Sequence, residues 1–152
     1  MEKWGDKPYH SLDYENKKRF GEKVYKISLA GGTTCPNRDG TLGTRGCCFC
    51  SGSGSGDFAA TKGSITEQIE EAIARVSRYK NAGHHFTAYF QSFTATYAPV
   101  ETLRAAWEEA MTHESVATLA IATRPDCLGD DVLSLLDDCC RKIQVTVELG
   151  LQ

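Results

Sequence analysis

The chain has 152 residues, 41% of them hydrophobic and 24% charged, which is the balance of an ordinary globular domain able to bury one core. Its net charge of −3 argues against a generally basic nucleic-acid surface, and no apolar run approaches the length of a membrane helix. The start, Met1-Glu-Lys-Trp-Gly-Asp-Lys-Pro8, lacks the apolar centre of a signal peptide, so the expected compartment is the cytoplasm. In that compartment an odd set of seven cysteines points to metal binding rather than to a disulfide framework.

Residues 1–20 form a polar lead-in with scattered aromatics (Trp4, Tyr9, Tyr14, Phe20) that accommodates a short helix before Gly21. Its basic cluster, Lys17, Lys18 and Arg19 with Lys23 and Lys26, reads as a solvated face. The segment Lys23–Leu29 alternates and is rich in β-formers, which predicts the first strand. It runs through Gly31-Gly32 into Cys35-Pro-Asn-Arg-Asp-Gly-Thr-Leu-Gly-Thr-Arg-Gly-Cys-Cys-Phe-Cys50, which has the spacing C-x11-C-x2-C with an extra thiol at Cys48. Glycines in such a loop let the backbone fold back so that distant thiols meet. Ser51-Gly-Ser-Gly-Ser-Gly56 reads equally as a flexible linker or as backbone packed closely beside a cofactor.

Ser64-Ile-Thr-Glu67 is a capping box, and Ile65, Ile69, Ala72, Ile73 and Val76 recur at helical spacing, predicting a helix from Ile65 to Lys80. His85–Gln91 is the second predicted strand. A helix from Val100 to Thr112 follows, with Leu103, Ala106, Trp107 and Ala110 on its inner face. Ala117–Ala122 is a buried strand ending at Thr123-Arg-Pro-Asp126. Asp130–Cys140 is the third helix of this series, and Gln144–Glu148 the fourth strand.

Strand and helix alternate throughout, which predicts an α/β fold with a parallel sheet and helices on its outer face. Ligand sites in such sheets gather at the carboxyl ends of the strands. Here those ends carry the cysteine loop, Gln91-Ser92, Arg124-Pro-Asp126 and Glu148-Leu-Gly-Leu-Gln152. The chain stops after its fourth strand, and the expectation is an amino-terminal part of a longer protein: a lead-in over 1–20 and an incomplete core over 21–152.

Three thiols leave two readings open. Structural zinc takes four ligands and would need Cys48, a histidine or Cys127 as the fourth. An iron–sulfur cube held by three thiolates keeps one iron open for another ligand. Elsewhere the plainer assignments are preferred. Trp107 belongs to the core, Cys127, Cys139 and Cys140 are small packing residues, and His84-His85 is a strand-edge pair. Arg124-Pro-Asp126 can be a strand-to-helix turn capped by Asp126, although a ligand role for Arg124 is favoured.

Several phrases decide between the readings. Phe20-Gly-Glu-Lys-Val-Tyr-Lys-Ile-Ser-Leu29, Thr34-Cys-Pro-Asn-Arg-Asp-Gly-Thr41, Gly46-Cys-Cys-Phe-Cys-Ser51, Tyr89-Phe-Gln-Ser-Phe-Thr94, Thr123-Arg-Pro-Asp126 and Glu148-Leu-Gly-Leu-Gln152 occur in this order. With them the chain resembles the radical S-adenosylmethionine (SAM) superfamily. The likeness is to its YhcC-type branch, relatives of the radical SAM domain of the elongator acetyltransferase.

The resemblance implies a partial parallel (βα) barrel of radical SAM type with about four βα units. It implies that Cys35, Cys47 and Cys50 hold a [4Fe-4S] cluster whose open iron is chelated by the amino and carboxylate groups of SAM. Reductive cleavage would then give methionine and a 5′-deoxyadenosyl radical that abstracts hydrogen from substrate. Phe49 is implied to pack against adenine, and Gln91-Ser92 stand where the superfamily usually has a Gly-Gly-Glu turn. Arg124 is a partner for the SAM carboxylate, with Glu148 and Gln152 as candidates for ribose. Implied partners are a reductant such as flavodoxin or ferredoxin and a substrate of unknown identity. The branch's likeness makes RNA a candidate substrate that the charge does not support. The long C-x11-C spacing departs from the commonest superfamily motif and belongs to the branch. The alternative function is a non-catalytic zinc or iron–sulfur module serving as an interaction scaffold.

Overall fold

The computed structural model describes residues 4–150. Four strands form one parallel sheet in the order β1 (Tyr25–Leu29), β2 (Phe86–Phe90), β3 (Val116–Thr123) and β4 (Gln144–Leu149). Each crossover carries a helix: α2 (Ile65–Tyr79), α3 (Val100–Thr112) and α4 (Asp130–Cys140). Every predicted strand and helix forms within two residues of its expected ends. The lead-in also forms a helix, α1 (Leu12–Phe20). Ser11 accepts a hydrogen bond from the Tyr14 N–H at its start, and Gly21 closes it in the left-handed conformation at φ 76°.

Strand side chains alternate between faces, and here the two faces differ in chemistry. Ile27, Leu29, Phe86, Ala88, Phe90, Leu119 and Ile121 form one buried apolar face. Against it lie Ile65, Ile69 and Ala72 of α2, Leu103, Ala106, Trp107 and Ala110 of α3, and Val132, Leu135, Leu136 and Cys139 of α4. The helices' order is set locally. The Ser64 hydroxyl accepts from the Glu67 N–H at 3.2 Å while the Glu67 carboxylate accepts from the Ser64 N–H at 2.8 Å, so the expected capping box starts α2. Trp107 is 1% exposed and sits centrally in this layer, as expected.

The opposite face carries Lys26, Thr87, Tyr89, Thr118, Ala120, Thr146 and Glu148, and α1 lies over its lower end. Leu12 and Asn16 of α1 line a cavity of about 70 Å³ with Lys26, Thr87, Thr118 and Gln144. Arg19 donates to Gln144 and Lys26 to Glu148. These two bases therefore engage the polar sheet face and are not part of a purely solvated patch. Cys140 is exposed, so of the adjacent pair only Cys139 packs. The backbone N–H groups of His84 and His85 and the His85 ring all meet Glu22 Oε1, at 2.7, 2.8 and 2.7 Å, which ties the entry of β2 to the end of α1.

Of the sheet's two edges, β1 is partly covered where Leu29 bridges Ala60, and β4 pairs only with β3. No helix of the described residues is long and apolar enough to cross a membrane.

Removing the Trp107 side chain leaves a cavity where α3 meets the sheet. Trp107→Ala is expected to lower stability by about 3–5 kcal/mol, read as a fall in the urea midpoint at unchanged slope.

Candidate functional site

The carboxyl ends of all four strands meet one cavity of about 310 Å³. Its walls come from Cys35, Cys47 and Cys50 of the cysteine loop, Tyr89 and Gln91 from the end of β2, Thr123 and Arg124 from β3, and Glu148 from β4. Phe49 and Phe93 complete the rim.

The loops are pinned to one another by backbone hydrogen bonds. Thr94 N–H donates to Thr34 O at 3.1 Å, joining the loop after β2 to that after β1, and Ala95 N–H donates to Ala122 O at 3.0 Å, joining it to β3. Within the cysteine loop, Arg38 N–H and Asp39 N–H turn back to Cys35 O at 2.8 and 3.2 Å, and Gly46 N–H reaches Asn37 O at 2.8 Å. That last bond returns the chain so that Cys47 arrives beside the start of the loop. Gly46 is required there: its φ is +74°, and a Cβ would lie 2.8 Å from the Arg38 guanidinium. Cys50 N–H donates to Cys47 O at 3.0 Å, a single turn that brings the second and third thiols to the same wall.

The Ser-Gly segment packs rather than acting as a linker. Phe93 N–H donates to Gly54 O at 2.8 Å, and a Cβ on Gly54 would meet the Phe93 ring at 2.4 Å. Arg38 fastens it from the other side, donating to Ser51 O at 2.5 Å with its guanidinium 5.6 Å from the Phe93 ring centre.

Two of the thiols accept hydrogen bonds: Cys47 from Asn37 Nδ2 at 3.1 Å and Cys50 from Ser55 Oγ at 3.5 Å. Cys35 is the most enclosed, 9% exposed. Cys48 faces solvent, and Cys127 lies in a separate cavity with Thr34, Thr96 and Asp131. The three cavity thiols share a wall without converging on one point: among the described residues no three His, Cys, Asp or Glu side chains gather closely enough to hold a metal ion.

Arg124 donates through Nε and Nη2 to the two Asp126 carboxylate oxygens, at 2.8 and 2.7 Å. Asp126 thus engages the guanidinium rather than capping a helix, since the 3₁₀ turn Pro125–Cys127 has no side-chain cap. The bond to Arg124 outweighs desolvation and holds the Asp126 carboxyl down at about 2. Arg124 Nη1 is buried and has no hydrogen-bond partner among the described residues.

On the cavity floor, Glu148 reaches from β4 across β3 to both other strands. It accepts from Lys26 of β1 and, at 2.8 Å, from the Tyr89 hydroxyl of β2, while Lys26 lies 4.3 Å from the Tyr89 ring centre. The crossing is open because β3 presents Ala120, paired with Tyr89, and Ala122, paired with Glu148, on this face. Burial pushes the Glu148 carboxyl up, but the hydrogen bonds from Lys26 and Tyr89 more than offset it, leaving its pKa below the ordinary value. Burial, then the Glu148 hydrogen bond and charge, push the Tyr89 phenol up to about 12.

Of the residues expected at the site, Cys35, Cys47, Cys50, Phe49, Gln91, Arg124 and Glu148 line the cavity. Phe49 does so at the mouth, 64% exposed. Ser92 is not among the lining residues: it is buried, with Oγ against Gly56. Gln152 lies outside the described residues. Sequence reasoning gave no site role to Tyr89, Lys26, Asn37 or Arg38, and it read Asp126 as a cap where it pairs with Arg124. Asn37 and Arg38 sat within the motif itself, and Tyr89 and Lys26 followed from strand alternation, which places both on the face that carries Glu148.

No family model and no solved structure matches the chain. It is 44% identical, over 97% of its length, to the Uncharacterized protein YtqA of Bacillus subtilis, and covers 46% of that protein. It is 44% identical over 89% of its length to Protein YhcC of Escherichia coli, covering 43% of it. To the Uncharacterized protein MJ0486 of Methanocaldococcus jannaschii it is 32% identical over 90% of its length, covering 42%. The chain thus spans somewhat less than half of these relatives, and none of their names states an activity.

The raised Tyr89 pKa delays ionisation of the cavity floor to high pH. The neutral phenol is favoured in the fold, so its stabilising effect is full below the ordinary pKa of 10.0 and is lost as pH rises through about 12. In a near-ultraviolet phenolate titration, the difference between wild type and Tyr89→Phe should develop near pH 12, and Glu148→Gln should move it down toward 10.0.

Proposed function

We propose that the cavity binds a [4Fe-4S] cluster through Cys35, Cys47 and Cys50 and takes SAM at the open iron, so that the protein initiates radical chemistry on a substrate of unknown identity. The observation that carries this reading is that Cys35, Cys47, Cys50 and Arg124, from separate loops, line one cavity at the carboxyl ends of the strands. The donor set fits the group. Its three thiols are sulfur donors, two of them accept hydrogen bonds of the kind that tune thiolate ligands, and the Arg124 guanidinium among the lining residues suits an anionic group.

When bound, the cluster would supply the electron that splits SAM into methionine and a 5′-deoxyadenosyl radical. The chain's own residues would ligate, orient and exclude water. Asn37 and Ser55 would direct the Cys47 and Cys50 sulfurs. Arg124 would fix the amino-acid end of SAM, with Gln91 beside it and Phe49 over the base at the mouth. Glu148, held by Lys26 and Tyr89, would accept hydrogen bonds from ribose. The electron must come from a reductant of flavodoxin or ferredoxin type. The polar sheet face below the cavity is the surface that a hydroxyl- or amide-bearing substrate would meet. The radical SAM barrel is the fold this assignment implies, of which the four-stranded sheet would be a part.

Anaerobic reconstitution with iron and sulfide, followed by electron paramagnetic resonance of the reduced protein, tests this reading. We expect a brown protein with a cluster signal that changes on adding SAM. Cys47→Ser should abolish the signal, and Cys48→Ser should retain it. A colourless, folded protein that retains stoichiometric zinc would instead identify a structural metal module.

A further inference from the structure

We propose that Arg38 is a positioning residue of the thiol wall whose unpaired positive charge raises the reduction potential of the cluster held there; this rests on the cluster reading above. Arg38 meets the backbone at all three thiols. Its own N–H donates to Cys35 O at 2.8 Å. Its guanidinium lies against Gly46, just before Cys47, where a Cβ would come within 2.8 Å of Nε and 2.9 Å of Cζ and Nη2. Nη2 donates to Ser51 O, just after Cys50, at 2.5 Å, and Nη1 to Gly52 O at 3.4 Å. One side chain thus touches both ends of the turn from Cys47 to Cys50 while its backbone is tied to Cys35.

Arg38 belongs to the cavity itself. It lines the space with Cys35, Cys47 and Cys50, and it is half-buried rather than enclosed. The Phe93 ring, also at the cavity, has its centre 5.6 Å from the guanidinium carbon. That ring is set by the backbone: Phe93 has φ 61°, which an aromatic residue rarely adopts, and its N–H donates to Gly54 O at 2.8 Å.

Its partners set Arg38 apart from the other cations of the site. Arg124 has Asp126 and Lys26 has Glu148, whereas Arg38 makes no ion pair among the described residues and donates to carbonyl oxygens instead. Neutral acceptors fix a guanidinium without cancelling its charge. Reduction moves one electron from the reductant to the cluster, with no bond made or broken, and adds one negative charge to a group that already carries three thiolates. A cation beside it therefore favours the reduced state over the oxidised one.

A redox titration of the anaerobically reconstituted protein, followed by electron paramagnetic resonance of the reduced cluster, tests this. Arg38→Gln and Arg38→Met, both neutral, are expected to make reduction less favourable on the order of tenfold, a midpoint about 59 mV more negative for one electron. Arg38→Lys keeps the charge without the planar fork and should retain most of the wild-type midpoint. Arg45→Gln is the control. It removes a charge from the same loop at an exposed position that lines a different cavity, and it should shift the midpoint far less. The gap between wild type and Arg38→Gln should narrow as salt is raised, because a half-buried charge is partly screened. Cluster content is measured alongside.

Neutral Arg38 variants with the wild-type midpoint overturn the inference and leave the cluster reading standing. An Arg38→Lys midpoint as low as that of Arg38→Gln also overturns it, by showing that the fork and not the charge is at work. Arg45→Gln matching Arg38→Gln does the same, by reducing the effect to the loop's net charge. Neutral variants that fold yet take up no cluster overturn it too, because the residue then only builds the loop. A folded wild-type protein that forms no cluster overturns the cluster reading and the inference together.

Discussion

Parallel pairing of the four strands is the constraint on which the rest of the molecule depends. In a parallel sheet every strand's carboxyl end emerges at the same rim, and each crossover must carry its helix back across one face. The register that pairs Leu29 with Phe90, Phe90 with Ile121 and Thr123 with Leu149 brings those ends level. Chemistry is then assembled from residues far apart in sequence, because the rim is the one place where loops from four strands are neighbours. The hydrogen bonds from Thr94 to Thr34 and from Ala95 to Ala122 lock these loops to each other, so the cavity wall is held by backbone rather than by flexible side chains.

The same pairing gives the sheet two unlike faces. The face under α2, α3 and α4 buries large apolar side chains, and that burial is the main source of stability. The other face carries polar side chains that satisfy one another: Thr87 with Thr118 at 2.7 Å, and Glu148 with Lys26 and Tyr89. Satisfied polar networks specify geometry, whereas a partly satisfied one would cost stability. On the edge strand β4 the apolar face is less complete. Val147 and Leu149 are 37% and 52% exposed, on a strand with one open side. The curated relatives are more than twice as long as the matched region, so further chain is available in them to meet such a surface.

The helical and strand framework was legible because its signals are local. The Ser64 to Glu67 box, the helical spacing of Leu103, Ala106, Trp107 and Ala110, and the apolar run at Ala117–Ala122 each predict one element without reference to the others. The lead-in helix was legible only as an option, since α1 buries a single residue, Asn16, and so shows no apolar stripe. At the site, the cysteine loop and Arg124 could be read because their residue types are distinctive. The support around them was hidden for two reasons. Lys26 looked like one member of a basic cluster, and only strand alternation within the folded sheet turns it toward Glu148, 122 positions away. Asp126 looked like a helix cap, a reading that the two-residue geometry of the Pro125 turn replaces with a fork to Arg124.

The cavity's Arg124 and Glu148 charges are paired within the protein. Arg124 is matched by Asp126, and Glu148 by Lys26, so the two ion pairs cancel in formal charge. The Glu148 carboxylate keeps spare lone pairs at the cavity, whereas Arg124 Nη1 is buried without a hydrogen-bond partner among the described residues. Because each charge has its own counter-ion, neither depends on a ligand to be tolerated in a partly enclosed site. Under the proposed SAM reading, a ligand with acceptors at one end and hydroxyl donors at the other would be oriented between Arg124 and Glu148, with the thiol wall beside it. Its selectivity would then depend on the residues that hold the contacting side chains as much as on the contacts themselves.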